Sequence, residues 1–289
     1  MSKVQILILL LFGCFQRMYS QPNCLAFKYA GDETKYLSCL ETEKCAGHYQ
    51  FTREFQTHLD NALAIDSTWG YPYRAKSVAY LKSGDFISWK RLMDKAVFYD
   101  EKDNLGYRGW CRYQFFRDYT GAIADVEKLE SLVNYDIGYS INGDYHLKVA
   151  KALCYKALNQ KEKAIEIILA HLSSEEYYPG NYDYFHLGVL YVETGQSEKA
   201  HQAFLEQQQR NPLAESHYYL AVDYFQLGNW EKCNQELDKA AQLYTQNQKR
   251  FDTYTHPMDQ VYWMDIEELK AKTERESQLQ LENVDLRTD

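Results

Sequence analysis

The chain has 289 residues with 41 acidic against 32 basic side chains, a formal net charge of -9. That balance disfavours nucleic acid and anionic lipid as partners, since no local basic patch offsets it. The length admits one large domain or two small ones, but a repeat array grows lengthwise and escapes the size limit of a single core, so one continuous array is the simpler expectation. Tyrosine is the compositional anomaly, with 26 copies, and its apolar body and polar tip suit helix packing and half-exposed surfaces alike.

In chain order, residues 1–20 read as an export signal, with Lys3 followed by the apolar run VQILILLLFGCF at 4–15, too short to span a bilayer. Two processing routes stay open. Leu11, Phe12, Gly13 and Cys14 resemble the lipobox of bacterial lipoproteins, which implies acylation of Cys14; the other route is cleavage after Ser20. Both place the folded part outside the cytoplasm, periplasmic or lipid-anchored to the envelope, with a lipid on Cys14 as the sole expected membrane tie. Residues 21–66 form an N-terminal helical cap with a degenerate repeat, since FQTHLDNALAIDS from Phe55 reads as the second helix of an incomplete unit. Within it, Cys24, Cys39 and Cys45 cluster, and an oxidising compartment predicts one disulfide among them with the third thiol free. Cys111, Cys154 and Cys233 fall on repeat helices as small core residues.

From 67 to 250 a pattern recurs roughly every 33 to 42 residues, the mark of stacked helix pairs that bury each other's apolar faces. Its sharpest copy runs over 182–212. Leu187, Gly188 and Tyr191 share one face of a first helix, Gly195 ends it, Ala200, Ala203 and Phe204 line a second helix, and Pro212 closes the unit. Gly188 and Ala200 are small enough to let the two helices approach closely. The next copy supplies Leu220, Ala221, Tyr224, Gly228, Cys233, Leu237 and Ala240, with Cys233 where the preceding copy has Ala200. Upstream, Ala152, Tyr155, Asn159, Ala164 and Ile168 keep the order, with Asn159 at the turn as a residue that tolerates a left-handed backbone. Looser copies place Tyr73, Tyr80, Gly84, Met93 and Ala96, with Trp89 in a usually small position, and Tyr113, Tyr119, Ala122 and Val126, with Arg117 at the turn. Stretches 130–144 and 173–181 break the period and read as extended loops. Beyond the array, 251–289 reads as a capping helix and tail: Pro257 opens a helix with an apolar stripe of Met258, Val261, Ile266 and Leu269 ending near Lys270, and the tail from Ala271 is frayed helix or disordered.

These residues resemble the tetratricopeptide repeat, whose pattern is an aromatic, Leu-Gly, Tyr, a turn Gly, Ala, Phe, Ala and a closing Pro; Gln207 replaces the last Ala in the sharp copy. The resemblance covers most of 67–244 and implies an all-α, right-handed superhelical solenoid of helix-turn-helix repeats. It also implies that first helices line a concave side that takes an extended peptide or a partner helix. The residues it assigns to that side are Arg74, Lys82, Asn104, Tyr107, Arg108 and Gln114 in the early repeats, and Tyr182, Phe185, Glu193, Glu215, Tyr218 and Phe225 in the later ones. Capture of a chaperone's C-terminal carboxylate is not expected, because Val78 and Cys111 stand where a polar amide is needed beside Arg74 and Arg108.

The common local signatures of phosphate-binding loops, zinc hydrolases and nucleophile elbows are missing from the sequence. No two of the eight histidines are spaced three or four apart, so neither metal nor cofactor is expected, and His186 and His217 are read as packing or surface residues that adjacent repeats bring near each other. The expected function is a non-catalytic scaffold of a bacterial cell envelope that binds a protein or peptide. The alternatives are binding of a glycan or wall fragment by tyrosine rings, and an envelope hydrolase or transferase with its site on the two inserted loops.

Overall fold

The computed structural model describes residues 22–174 and 177–285. The expected signal segment and Cys14 lie outside the described residues. The chain divides into two compact units, one ending at Asn104 and the other beginning at Leu105.

In the first unit, α1 (Cys24–Tyr29), α2 (Glu33–Glu43) and α3 (Arg53–Ile65) precede the pair α4 (Gly70–Ser83) and α5 (Phe86–Tyr99). Side chains cap the orphan amides at three of these starts: Asp32 accepts from Lys35 N, Thr52 from Phe55 N and Asp85 from Ser88 N. A disulfide joins Cys24 to Cys39, tying α1 to α2, and with Trp69 it forms a small core covered by Phe27, Tyr36, Leu40 and Tyr71. Cys45 remains a free, buried thiol, pushed up to about 11 by burial and by the nearby Glu41 carboxylate. Trp89 occupies its unusual place in α5 fully buried, beside Leu92, Met93, Ala96 and Val97.

The second unit begins within α6 (Glu101–Cys111), which runs into a π-helical turn, Arg112–Phe116, and is followed by α7 (Tyr119–Leu132). Three further pairs follow: α8 (Leu147–Ala157) with α9 (Lys161–Leu172), α10 (Asp183–Glu193) with α11 (Ser197–Arg210), and α12 (Ala214–Gln226) with α13 (Trp230–Thr245). The first helices α8, α10 and α12 pack in succession, and each second helix packs on its own partner and on the first helix that follows it. Cys111, Cys154 and Cys233 are buried in this unit.

The turn inside every pair is made the same way. Gly84, Arg117, Asn159, Gly195 and Gly228 all take left-handed backbone, with φ of 81°, 55°, 59°, 70° and 70°. Glycine does this without steric cost, asparagine at little cost, and arginine only with support. Arg117 has that support, since its guanidinium donates to His256 O and to the Tyr119 hydroxyl. The close approach expected at Gly188 is present, because a Cβ there would stand 2.6 Å from the Phe204 ring.

The C-terminal helix differs from the expectation at both ends. It is α14 (Trp263–Asp285), starting six residues after Pro257 and continuing through the polar tail. Pro257 instead sits in a turn whose carbonyl accepts from Gln260 N, Asp259 is left-handed with φ of 64°, and Asp265 accepts from Tyr262 N at the true start. The tail is helical because α13 supports it. Thr273 is buried against the Cys233 thiol, Lys270 reaches Asp238 at 2.6 Å, and the Trp230 indole donates to Gln280. Among the described residues no helix is long and apolar enough to cross a membrane.

Candidate functional site

In the first unit, Arg74 stands beside a cavity of about 190 Å³ lined by Pro22, Phe27, Trp69, Tyr71, Asp100, Asp103 and Asn104. Its guanidinium lies over the Tyr71 ring and donates to Asp103 O at 2.8 Å. Asn104 lines this cavity rather than an open groove. Its side chain is buried and donates to Ala96 O and Asp100 O, locking the start of α6 onto the end of α5. Lys82 is exposed on the last turn of α4.

In the second unit, Arg108 serves the fold. It grips the buried Asp125 with two hydrogen bonds, at 2.9 and 2.7 Å, and Arg112 adds a third at 2.9 Å, fastening α6 and its π turn to α7. Tyr107 is half-buried on α6. Tyr218 and Phe225 pack around the core of Ala221, Cys233, Leu237, Ala240, Val261, Ile266 and Leu269, and Phe225 meets Trp230 edge-on. Glu193 is exposed but engaged, with Lys156 at 3.0 Å and Lys161 at 3.2 Å.

The other predicted residues converge, and what they meet is the chain itself. The irregular segment 248–259, between α13 and α14, lies along the first helices. Gln248 O accepts from Ala214 N at the start of α12, and Glu215 accepts from Arg250 N at 2.9 Å. The buried Arg250 guanidinium sits 4.9 Å from the Tyr182 ring and 5.1 Å from the Phe185 ring, and it donates to the Tyr145 hydroxyl and to Met258 O. Gln114, on the π turn, donates to Thr255 at 2.6 Å. The expectation that Gln114, Phe185 and Glu215 line an open groove is therefore corrected: all three are buried.

The segment ends on a buried charge cluster. Asp259 takes Lys156 of α8 at 2.7 Å and His186 Nδ1 of α10 at 2.8 Å. Since a carboxylate only accepts, His186 carries its hydrogen on Nδ1, and Nε2 accepts from the Tyr145 hydroxyl at 3.0 Å. The result is a continuous chain of donors from Arg250 through Tyr145 and His186 to Asp259. Burial pulls His186 down to about 4, with the Arg250 charge adding to it against the pull of Asp259. Burial works to raise Asp259, yet the Lys156 charge and the His186 bond hold it far below the usual carboxylate range. At neutral pH the cluster therefore holds an ionised aspartate and a neutral histidine. His217 does not join His186; it pairs with Glu236 at 2.6 Å.

The two inserted loops also meet. Around them Asp136 accepts from His146 at 3.0 Å, the His146 and His171 rings lie 4.0 Å apart, the His171 and Tyr177 rings lie tilted with centroids 3.6 Å apart, and the Tyr177 hydroxyl donates to Asp183. Burial, aided by His146, lowers His171 to about 3, and burial raises Asp183 against its hydrogen bonds. Rings with centroids this close leave no room between them for a substrate.

Tyr145, Lys156, Arg250 and Asp259 were not among the residues expected at a site, and His186 was read as packing. The bonds that join them span 41 to 105 residues, so no local spacing announces them. No group of histidine, cysteine, aspartate and glutamate that could hold a metal ion is found among the described residues.

No protein-family model and no curated protein matches the sequence. Solved structures do match in fold. PilW, a widely conserved type IV pilus biogenesis factor, aligns with a TM-score of 0.57 at 16% identity over 72% of this chain and 93% of its own. PilF of Pseudomonas aeruginosa aligns with 0.57 at 13% identity over 86% and 99%. YrrB, a tetratricopeptide protein with an unusual peptide-binding site, aligns with 0.50 at 19% identity over 65% and 92%. The chain has the all-α tetratricopeptide-repeat fold that its sequence pattern indicates.

Proposed function

We propose that this chain is a non-catalytic interaction scaffold, exported to a bacterial cell envelope, whose first-helix face in the second unit binds an extended segment of a protein partner. One observation carries the reading: that face already holds an irregular segment of polypeptide, 248–259, through side chains drawn from successive repeats. Holding extended chain by discrete side-chain anchors is how repeat arrays recognise peptides. YrrB, alike in fold, has a peptide-binding site, and PilW, also alike in fold, is a pilus biogenesis factor; both are compatible with a scaffold of the envelope. The hydrophobic run at 4–15 is the further support for export.

A photo-reactive residue placed at the exposed Phe251 or Tyr254 in the full-length chain tests this in cells. The expected outcome is a discrete crosslinked protein that a control residue at the exposed Ile87 does not capture. Background adducts alone at both positions would sink the reading.

A second reading has its own observation. A cavity of about 370 Å³ beside the segment is lined by Tyr244, Phe251, Tyr254 and Tyr262 together with polar residues such as Lys249 and Gln260. Aromatic faces beside planar polar groups suit a sugar ring. Calorimetric titration with soluble wall fragments tests it, and heat indistinguishable from dilution would remove it.

A further inference from the structure

We infer that segment 248–259 is the resident ligand of a peptide site, and that this site selects an extended partner peptide carrying an arginine and, nine residues later, an aspartate, which takes the segment's place. The inference rests on the interaction-scaffold reading and names the partner's chemistry.

The repeats provide two distinct subsites. One is an aromatic box for a guanidinium: the rings of Tyr145, Tyr182 and Phe185 lie 6.0, 4.9 and 5.1 Å from the Arg250 guanidinium carbon, and the Tyr145 hydroxyl accepts from it. A planar, weakly hydrated cation suits such a box better than an ammonium does. The second is a buried cationic seat, Lys156 with the Nδ1–H of His186, which takes a carboxylate at 2.7 and 2.8 Å. Emptying that seat would leave a buried lysine short of one of its two carboxylates, so the site demands an acid in that place. Between the subsites, Gln114 and Arg117 hold Thr255 and the His256 carbonyl, contacts that any peptide with a small hydroxyl or a free carbonyl can repeat.

The manner of attachment points to exchange. The segment is pinned by side chains at discrete places, and its backbone meets repeat backbone where Gln248 O accepts from Ala214 N. Left-handed residues frame it, Asn247 with φ of 61° and Asp259 with φ of 64°, a backbone that asparagine and aspartate adopt at little cost. Along it Phe251 is 75% and Tyr254 57% exposed. A free peptide of the same pattern competes for the same contacts once its concentration exceeds the effective concentration that tethering gives the segment.

A fluorescent peptide with the sequence of residues 247–262, titrated into the full-length protein and read by anisotropy, tests the inference. Asp259→Asn, which weakens the resident segment, is expected to bind the peptide at least ten-fold more tightly than the unaltered protein. Replacing the peptide's own arginine or aspartate with alanine is expected to lower binding ten-fold or more. Should Asp259→Asn fail to fold, hydrogen exchange on the unaltered protein replaces it. Amides of 250–259 are then expected to exchange well ahead of those in α10 and α12, and faster still when the peptide is added. Amides as slow as those of the helices, no binding by the folded variant, or equal binding of a scrambled peptide would each overturn the proposal. These failures leave the crosslinking result standing, whereas peptide exchange without any crosslinked partner counts against the scaffold reading alone.

Discussion

At Gly188 and at the five turn residues, single atoms decide whether the repeat can close. A methyl at Gly188 meets the Phe204 ring at 2.6 Å, well inside contact distance, and both residues are buried between α10 and α11. Gly188→Ala is therefore expected to destabilise the protein by about 1–3 kcal/mol, as overpacking in a close-packed interior does. Urea unfolding measures this, and pairing the change with Phe204→Leu should restore part of the loss. The turn position was legible because its demand is conformational: Asn159 satisfies it as the sequence suggests. Arg117 also satisfies it, but with a bond to His256, 139 residues away, that no reading of residues near 117 can foresee.

Among the elements, the N-terminal cap and the inserted loops depend on features outside the repeat pattern. The Cys24–Cys39 bond closes a 15-residue span around a core containing few other buried apolar side chains. Replacing both cysteines with serine is expected to lower the stability of this unit by about 3 kcal/mol, the loop-closure value for that length, and thermal unfolding followed in the near ultraviolet by Trp69 checks it. The loop cluster makes stability depend on pH. Folded His171 is held down to about 3 by burial and by His146, whereas an unfolded histidine titrates near ~6.5. The unfolded chain thus binds more protons in between, so this contribution is complete above that upper value and is lost as pH falls toward the lower one. Asp183, raised by burial, acts in the opposite direction. Comparing His171→Phe with the unaltered protein isolates the histidine: the variant's urea midpoint should fall less between pH 6.5 and 4.5. Sequence marked these loops as insertions, but not that they would bring His146, His171, Tyr177 and Asp183 into contact.

For the second unit as a whole, segment 248–259 turns the first-helix face from an open surface into an occupied one. Asp259 is the link, since it alone joins the segment to both Lys156 and His186. Lys156→Met removes a buried cation and leaves Asp259 with His186, and is expected to cost about 3–5 kcal/mol, the usual penalty for breaking a buried ion pair. The same change should raise the His186 pKa from about 4, because Lys156 opposes its protonation; imidazole chemical shifts across a pH titration would show it. A small loss with an unmoved histidine would mean that the cluster is not coupled as its distances indicate.

The helix pairs, their order, most of the turn chemistry and the packing positions were legible in the sequence, because each is imposed by residues within about 40 positions of one another, through helical periodicity and backbone sterics. Tertiary structure alone decided what became of the predicted site residues. Asn104, Gln114, Phe185 and Glu215 are buried, Arg108 fastens helices, and segment 248–259, of which only the end from Pro257 reads as a helix start, became the occupant of the repeat face. The reason is physical: a charge such as Asp259 or Arg250 is expensive to bury until its partners arrive, and those partners lie up to 105 residues away, where only the folded chain brings them together.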